Sequence, residues 1–395
     1  MSEVPAYYGG EPVRETVLGY GSQSITDREK EAVLEALEGD YITRGPTVDE
    51  FEARVADMVG VEHAVATTSG TTALHLAGKA AGFGRGDDVI TTPLTFVSTA
   101  HTATYNDATP VFADIDPHRR TLDPNAVREQ VTEDTVGLVP MHYSGHPADI
   151  DGLLEVADEY DLTVIWDACH AFGGSWRGEA IGAQRDMAVF SFHPVKNITT
   201  GEGGMIVTDD DELAERCRRL RSFDMEYSPD GHDDEPWYQV SEDVGYNYNV
   251  TDLQAALGLA QLDRLEEFKQ RRDEIIAQYD EALAGIDGVR TPPEPLESDP
   301  MYHLYAVEVN EEFGCDRKTF VNAMHAENIG VQVHYVPLHY HPHLQTEFGY
   351  ERGMFPETER VYEGLVSLPL HAEMTDEDVY DVVTAIETLS DSHRE

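Results

Sequence analysis

Cysteine, lysine and long apolar runs are all scarce in this 395-residue chain. The cysteines are Cys169, Cys217 and Cys315. An odd, scattered set gives no disulfide framework and fits a reducing, cytoplasmic compartment. No apolar stretch approaches the ~20 residues that cross a bilayer. The opening MSEVPAYYGGEPVRE has neither a basic n-region nor an apolar h-region, so no secretory signal is expected. Basic residues number 27 against 76 acidic ones, a formal net charge of −49. Such a surface repels nucleic acid and anionic membranes, which excludes both as partners. With so few lysines, the composition points to a halophilic protein. At molar salt the Debye length is only ~3 Å, so self-repulsion is screened.

High net charge can mean disorder. Here 41% of residues are hydrophobic and periodic apolar segments run throughout, so a folded chain is expected. Thr26-Asp27-Arg28-Glu29 reads as a capping box before a helix. Beyond it, short apolar strands alternate with amphipathic helices. That rhythm predicts an α/β fold with a mainly parallel, mixed sheet and ligands at the carboxyl ends of its strands. Residues 1–250 form the expected large domain, with a helical N-terminal segment. Residues 251–284 read as one linking helix and 285–395 as a smaller C-terminal α/β domain. In the latter, strands are expected at 301–309 and 332–336, around a helix at 317–327. The acidic stretch 223–238 reads as an exposed loop. Gly82-Phe83-Gly84-Arg85-Gly86 imitates a dinucleotide fingerprint but precedes a strand, so it reads as a turn.

Residues 187–208 carry the strongest chemical signal. Two apolar strand-like runs flank a loop with Ser191, His193, Lys196, Gly201, Gly203 and Gly204. Of the five lysines, Lys196 alone lies between apolar runs. It either snorkels from a strand end or is a partly buried amine able to form a Schiff base with a carbonyl. Thr67-Thr68-Ser69-Gly70-Thr71-Thr72 opens a helix, as an ordinary cap or as a phosphate cradle. Asp167 ends a strand, where it caps the next helix or holds a charged ligand. Phe96 and His170 read equally as core residues, and Asn247 as a turn residue. His339, His341 and His343 alternate, as zinc ligands on one strand face do. Pro337 and Pro342 argue against a regular strand there, and no metal is expected.

Ser191-Phe192-His193-Pro194-Val195-Lys196, followed by Gly201-Glu202-Gly203-Gly204, resembles the cofactor-lysine motif of the DegT/DnrJ/EryC1/StrS sugar aminotransferases. These are pyridoxal 5'-phosphate (PLP) enzymes of aminotransferase fold type I. The resemblance implies Lys196 as the covalent cofactor link and Asp167 as partner of the pyridine nitrogen. It implies Gly70, Thr71, Thr72 and Ser191 around the phosphate, Phe96 stacked on the ring and His170 beside it. Asn247 is expected to reach the phosphate of a neighbouring subunit, making a homodimer with shared active sites. His193, Tyr335 and His339 are expected near the substrate, and Arg44 or Arg221 near the donor carboxylate. Trp166 stands where the family usually has an acid. The implied reaction moves an amino group, from glutamate, onto a nucleotide-linked 4-keto-6-deoxy sugar for polysaccharide or glycan biosynthesis. His142-Tyr143-Ser144-Gly145, Pro194-Val195-Lys196 and Ile198-Thr199-Thr200 are similar to the UDP-4-amino-4,6-dideoxy-N-acetyl-altrosamine transaminases of the pseudaminic acid pathway, although Asn197 replaces an expected proline. A 3-keto or other keto sugar acceptor, or a non-catalytic nucleotide-sugar binder, are the rival readings.

Overall fold

Side chains along residues 187–191 alternate between two apolar clusters: Met187 and Val189 face one, Ala188 and Phe190 the other. Period-two alternation with both faces apolar is what a central strand covered on each side requires. The computed structural model, which describes residues 4–227 and 234–394, places this strand inside a seven-stranded sheet. Its strands are β1 (His63–Thr67), β2 (Asp88–Thr91), β3 (Thr109–Phe112), β4 (Thr135–Val139), β5 (Thr163–Asp167), β6 (Met187–Ser191) and β7 (Gly204–Thr208). Their order across the sheet is β1-β7-β6-β5-β4-β2-β3. Only β7 runs against its neighbours; the other pairings are parallel.

Among the described residues the helices of this part are α1 (Asp27–Glu38), α2 (Pro46–Val59), α3 (Gly70–Ala81), α4 (Val97–Thr104), α5 (Pro124–Gln130), α6 (Ile150–Tyr160), α7 (Asp211–Arg221) and α8 (Asp252–Leu262), and α9 (Leu265–Leu283) starts here with Leu265 and Phe268 and runs on into a second core. One face packs Val65, Ile165 and Val189 against Leu74 and Leu76 of α3 and Leu220 of α7. The other packs Trp166 and Phe190 against Phe51 of α2, Leu153 of α6 and Leu262 of α8. The capping box of Thr26 and Glu29 is present, and Gly82 and Gly86 turn the chain into β2 with positive φ.

A separate core gathers Ile275 and Tyr279 of α9 with a three-stranded antiparallel sheet. Its strands are β8 (Val289–Arg290), β9 (Tyr305–Val309) and β10 (Leu365–Leu368), and α10 (Arg317–Ala326) and α13 (Asp376–Arg394) pack on them; α11 (Pro342–Phe348) instead sets Leu344 against Ala100 and Phe112, and α12 (Pro356–Gly364) sets Val361 with Leu94 and Ala306.

Four expectations need correction. The linking helix is two helices, α8 and α9, broken at Asp263-Arg264. There Arg264 leaves helical geometry and pairs with Glu29 and Glu267, while Asp263 pairs with Arg28 and Arg54. Residues 332–336 form no strand; only Gln332 bridges to Ser367, and the third strand of the small sheet is β10. The first described residues pack with the small lobe instead of the large one. Leu18 lies in the small-lobe core and bridges Ile329, while Ala6 and Val13 amides donate to Glu327. Finally, the acidic stretch is not all loop: Met225–Tyr227 and Gln239–Ser241 pair as a short antiparallel ladder, and 228–233 lie outside the described residues.

Candidate active site

The edge of the large sheet brings distant residues abreast. Thr67 of β1 and Ser191 of β6 both pair with Gly204, which opens β7. Period two then puts Ser191 above Val189, and Asp167 above Ile165, on the face that α3 covers. Trp166 points to the opposite face, where it stacks on His142 with centroids 5.3 Å apart. The residue that departs from the family pattern therefore turns away from Asp167.

These strand ends floor a cavity of about 540 Å³, lined among others by Gly70, Thr71, Phe96, Asp167, His170, Ser191, His193, Lys196 and Tyr335. At one end, α3 presents its N-terminus, with Ser69 as N-cap accepting from the Thr72 amide. Gly70 opens the helix because a side chain does not fit: a Cβ there would lie 2.9 Å from Ser191 Cβ and 3.0 Å from Cys169 Sγ. Gly204 is required for the same reason, since a Cβ would strike Ser69 carbonyl oxygen at 2.3 Å. Bare helix-start amides beside the Ser191 hydroxyl make an anion cradle.

At the other end Asp167 is 2% exposed. Its Oδ2 accepts from Thr99 Oγ1 at 2.6 Å and its Oδ1 from the Cys169 amide at 3.1 Å. Thr95 Oγ1 lies 2.6 Å from Thr99 Oγ1. Thr95 Oγ1 also lies 2.7 Å from Met141 Sδ, so its single proton is shared between Thr99 and that sulfur. The Thr99 hydroxyl and the Cys169 amide fix the carboxyl group in a dry place, facing a cationic ligand nitrogen.

Lys196 keeps part of its surface on the cavity, but its surroundings are packed. Burial pushes its amine below the ordinary lysine range, against the opposing pull of Cys169 and Asp167. Three histidines crowd the same wall. Burial pushes His170 and His303 well below the usual imidazole range and His334 down to about 4, with Lys196 adding to each. All three are neutral hydrogen-bonding groups at physiological pH.

Several residues the sequence singled out lie elsewhere. Thr72 is absent from the lining; its Oγ1 accepts from the Ser69 amide and closes the helix cap. Asn247 is exposed, away from this cavity, and its Oδ1 accepts from Asn249. His339 is a correction: it is fully buried, pairs with Glu359 at 2.9 Å and packs on Phe355, so it does not reach the cavity. The alternating histidines do not share a strand face: Leu338–Tyr340 and Pro342–Phe348 are helical, and His341 and His343 stay neighbours with ring centroids 6.1 Å apart while His339 is buried. Arg221 is taken up by Glu52 and the Ala66 carbonyl, and Arg44 stands beside Phe223 and Gly245. Sequence reasoning missed Thr99, Thr95, His303, His334 and Tyr20. Only the position of Thr95 and Thr99 around Phe96 offered any signal.

An anion cradle, a buried carboxylate and an amine of lowered proton affinity in one cavity fit a phosphate-bearing pyridine aldehyde. On an α/β scaffold of this order they define a PLP-dependent aminotransferase. The profile of the DegT/DnrJ/EryC1/StrS aminotransferase family matches residues 23–387, and the chain belongs to that family. It is a PLP-dependent sugar aminotransferase of aminotransferase fold type I. The spore coat polysaccharide biosynthesis protein SpsC of Bacillus subtilis is 42% identical over 384 residues, covering 95% of this chain and 98% of SpsC. Among solved structures, Helicobacter pylori PseC, an aminotransferase involved in the biosynthesis of pseudaminic acid, superposes with a TM-score of 0.89 at 28% identity, covering 95% of this chain and 100% of its own. DesI, solved in the presence of its TDP-sugar product, gives 0.88 at 33% identity, covering 98% and 97%. No helix among the described residues is long and apolar enough to cross a membrane.

Proposed function

We propose that this enzyme transfers an amino group from glutamate to a nucleotide-linked 4-keto-6-deoxy sugar destined for a cell-surface polysaccharide or glycan. The observation that carries the reading is the single cavity joining Lys196, Asp167 and the α3 N-terminus. The names of SpsC, PseC and DesI support a polysaccharide or nucleotide-sugar setting.

Bound PLP supplies an aldehyde that joins amines and a ring that accepts an electron pair. In the proposed arrangement the amides of Gly70 and Thr71 and the Ser191 hydroxyl bind the phosphate, and Phe96 lies against the ring. Asp167, held by Thr99, keeps a proton on the pyridine nitrogen. Lys196 Nζ takes the Cα proton of the amino donor and, in the return direction, gives a proton to the sugar carbon that receives the amine. Its depressed proton affinity suits it to both tasks. His193 lies at the cavity mouth, where the sugar nucleotide enters.

No arginine of this chain lines the cavity among the described residues, although a donor carboxylate and a diphosphate both need cationic partners. Together with the outward-facing Asn247, this supports a homodimer in which each copy completes the other's site. The charge of −49 supports stability that depends on salt. Melting that is unchanged between low and molar KCl would count against that part.

The test is incubation with glutamate and a panel of UDP- and dTDP-linked keto sugars, read by mass spectrometry. An aminated product from a 4-keto-6-deoxy sugar supports the reading. Amination of 3-keto sugars alone, or of none, defeats the 4-keto assignment.

A further inference from the structure

His170 is gripped at both ring nitrogens. The Ser144 amide donates to Nδ1 at 3.3 Å, and Tyr335 Oη lies 3.0 Å from Nε2. A backbone amide offers only a proton, so Nδ1 holds the lone pair. The ring is neutral because burial and Lys196 disfavour its charged form. A neutral imidazole has one N–H, which must then sit on Nε2 and donate to the Tyr335 oxygen. The phenol's own proton is left over. Among the described residues Tyr335 Oη has no second hydrogen-bond partner, and the residue lines the cavity. Burial pushes the phenol well above its usual range, so the proton stays on oxygen.

The amide that sets this direction is itself fixed. Ser144 sits in the left-handed region at φ 65°. Its Oγ donates to the Leu304 carbonyl at 2.6 Å, and its carbonyl accepts from the His303 amide at 3.0 Å. Tyr335 comes from the segment between α10 and β10, on the small-lobe side, with its ring 5.7 Å from that of Phe96. It thus faces the sheet edge that carries Lys196, Asp167 and Ser191.

We propose that Tyr335 donates a hydrogen bond to the keto oxygen of the sugar acceptor, and that His170, locked with its proton on Nε2 by the Ser144 amide, is the positioning residue that aims it. The proton stays on the phenol; no bond is made or broken by this contact. An uncharged donor suits an uncharged carbonyl, whereas a carboxylate or phosphate calls for a cation. The assignment rests on the sugar-acceptor reading above.

Two measurements test it in the holoenzyme. The half-reactions are timed separately from the cofactor absorbance: bleaching by glutamate, then recovery on adding a dTDP- or UDP-linked 4-keto-6-deoxy sugar that wild type accepts. Tyr335→Phe should slow recovery about 10- to 100-fold in kcat/KM, with at least a tenfold smaller effect on bleaching. His170→Leu should reproduce that pattern. His170→Gln should restore recovery to within a few fold, because an amide still accepts at one end and donates at the other. Equal losses in both halves, or equal behaviour of the Leu and Gln variants, overturns the proposal. The second measurement is a long-range 15N–1H correlation of histidine-labelled wild type, assigned with His170→Gln. It needs no substrate, so it decides even if no keto sugar is accepted. A His170 ring protonated on Nε2 alone is expected; a proton on Nδ1 overturns the relay.

Discussion

Thr99 Oγ1 donates a 2.6 Å hydrogen bond to Asp167 Oδ2 on the cavity floor, and both residues are buried. Asp167 comes from the end of β5 and Thr99 from the first turn of α4, so the contact ties the β2–α4 connection to the carboxylate. A hydrogen bond to a charged group contributes about 1.5–3 kcal/mol. Thr99→Val keeps the shape and removes the donor. It should weaken PLP binding about 10- to 100-fold, measured by absorbance titration of the apoenzyme. An unchanged affinity would mean that the hydroxyl does not support the site.

Asp167→Asn keeps the volume and removes the negative charge. Without it the ring nitrogen loses its proton and the electron-accepting power of the cofactor falls. At saturating PLP, kcat should drop about 10²- to 10³-fold while the chromophore still forms. Steady-state kinetics beside an absorbance spectrum check both halves of that statement.

The amine of Lys196 is held below its ordinary range chiefly by burial. A depressed lysine loses its proton earlier as pH rises. The rate of PLP capture by the apoenzyme should therefore reach its plateau below about pH 10.4, the value for a free lysine side chain. Stopped-flow capture curves across pH give the inflection, and one at or above the free value contradicts the burial argument.

Glu29 ties α1 to the start of α9. It is 1% exposed and bonds Arg264 at 3.0 Å, Gln261 at 2.9 Å and the Thr26 amide at 2.7 Å. Desolvation opposes its charge, but those bonds outweigh it and hold the carboxyl at about 2. Its folded value lies below the unfolded one of about 4.3. The contribution is therefore complete above that pH and is lost as pH falls towards 2. Glu29→Ala should lower unfolding free energy by about 3 kcal/mol at neutral pH. In denaturant titrations the gap between variant and wild type should close on acidification; a constant gap down to pH 2 contradicts the assignment.

The large sheet was legible because its signals are local. The continuous apolar run of β6 and a terminal Asp on β5 survive folding unchanged, and the Ser69–Thr72 cap is written in four consecutive residues. What stayed hidden was set by tertiary partners. The break at Asp263-Arg264 follows from acids and bases over 200 positions away, at Arg28, Glu29 and Arg54. Residues 332–336 have strand-like composition, yet Tyr143 Oη takes the His334 carbonyl and Tyr335 turns to His170. His339 matched a motif but found Glu359 and a dry pocket first. Beyond its place near Phe96, Thr99 carries no sequence mark of its role, because only the fold brings a threonine of α4 to the end of β5.

The central claim is that Lys196 carries the cofactor. Borohydride treatment of the holoenzyme fixes PLP to whichever amine bears it, and peptide mass mapping locates the label. The account requires the label on Lys196 and a loss of transfer of about 10²- to 10⁴-fold in Lys196→Ala at saturating PLP. A label on Lys79, Lys269 or any other amine, or wild-type turnover in that variant, would contradict it.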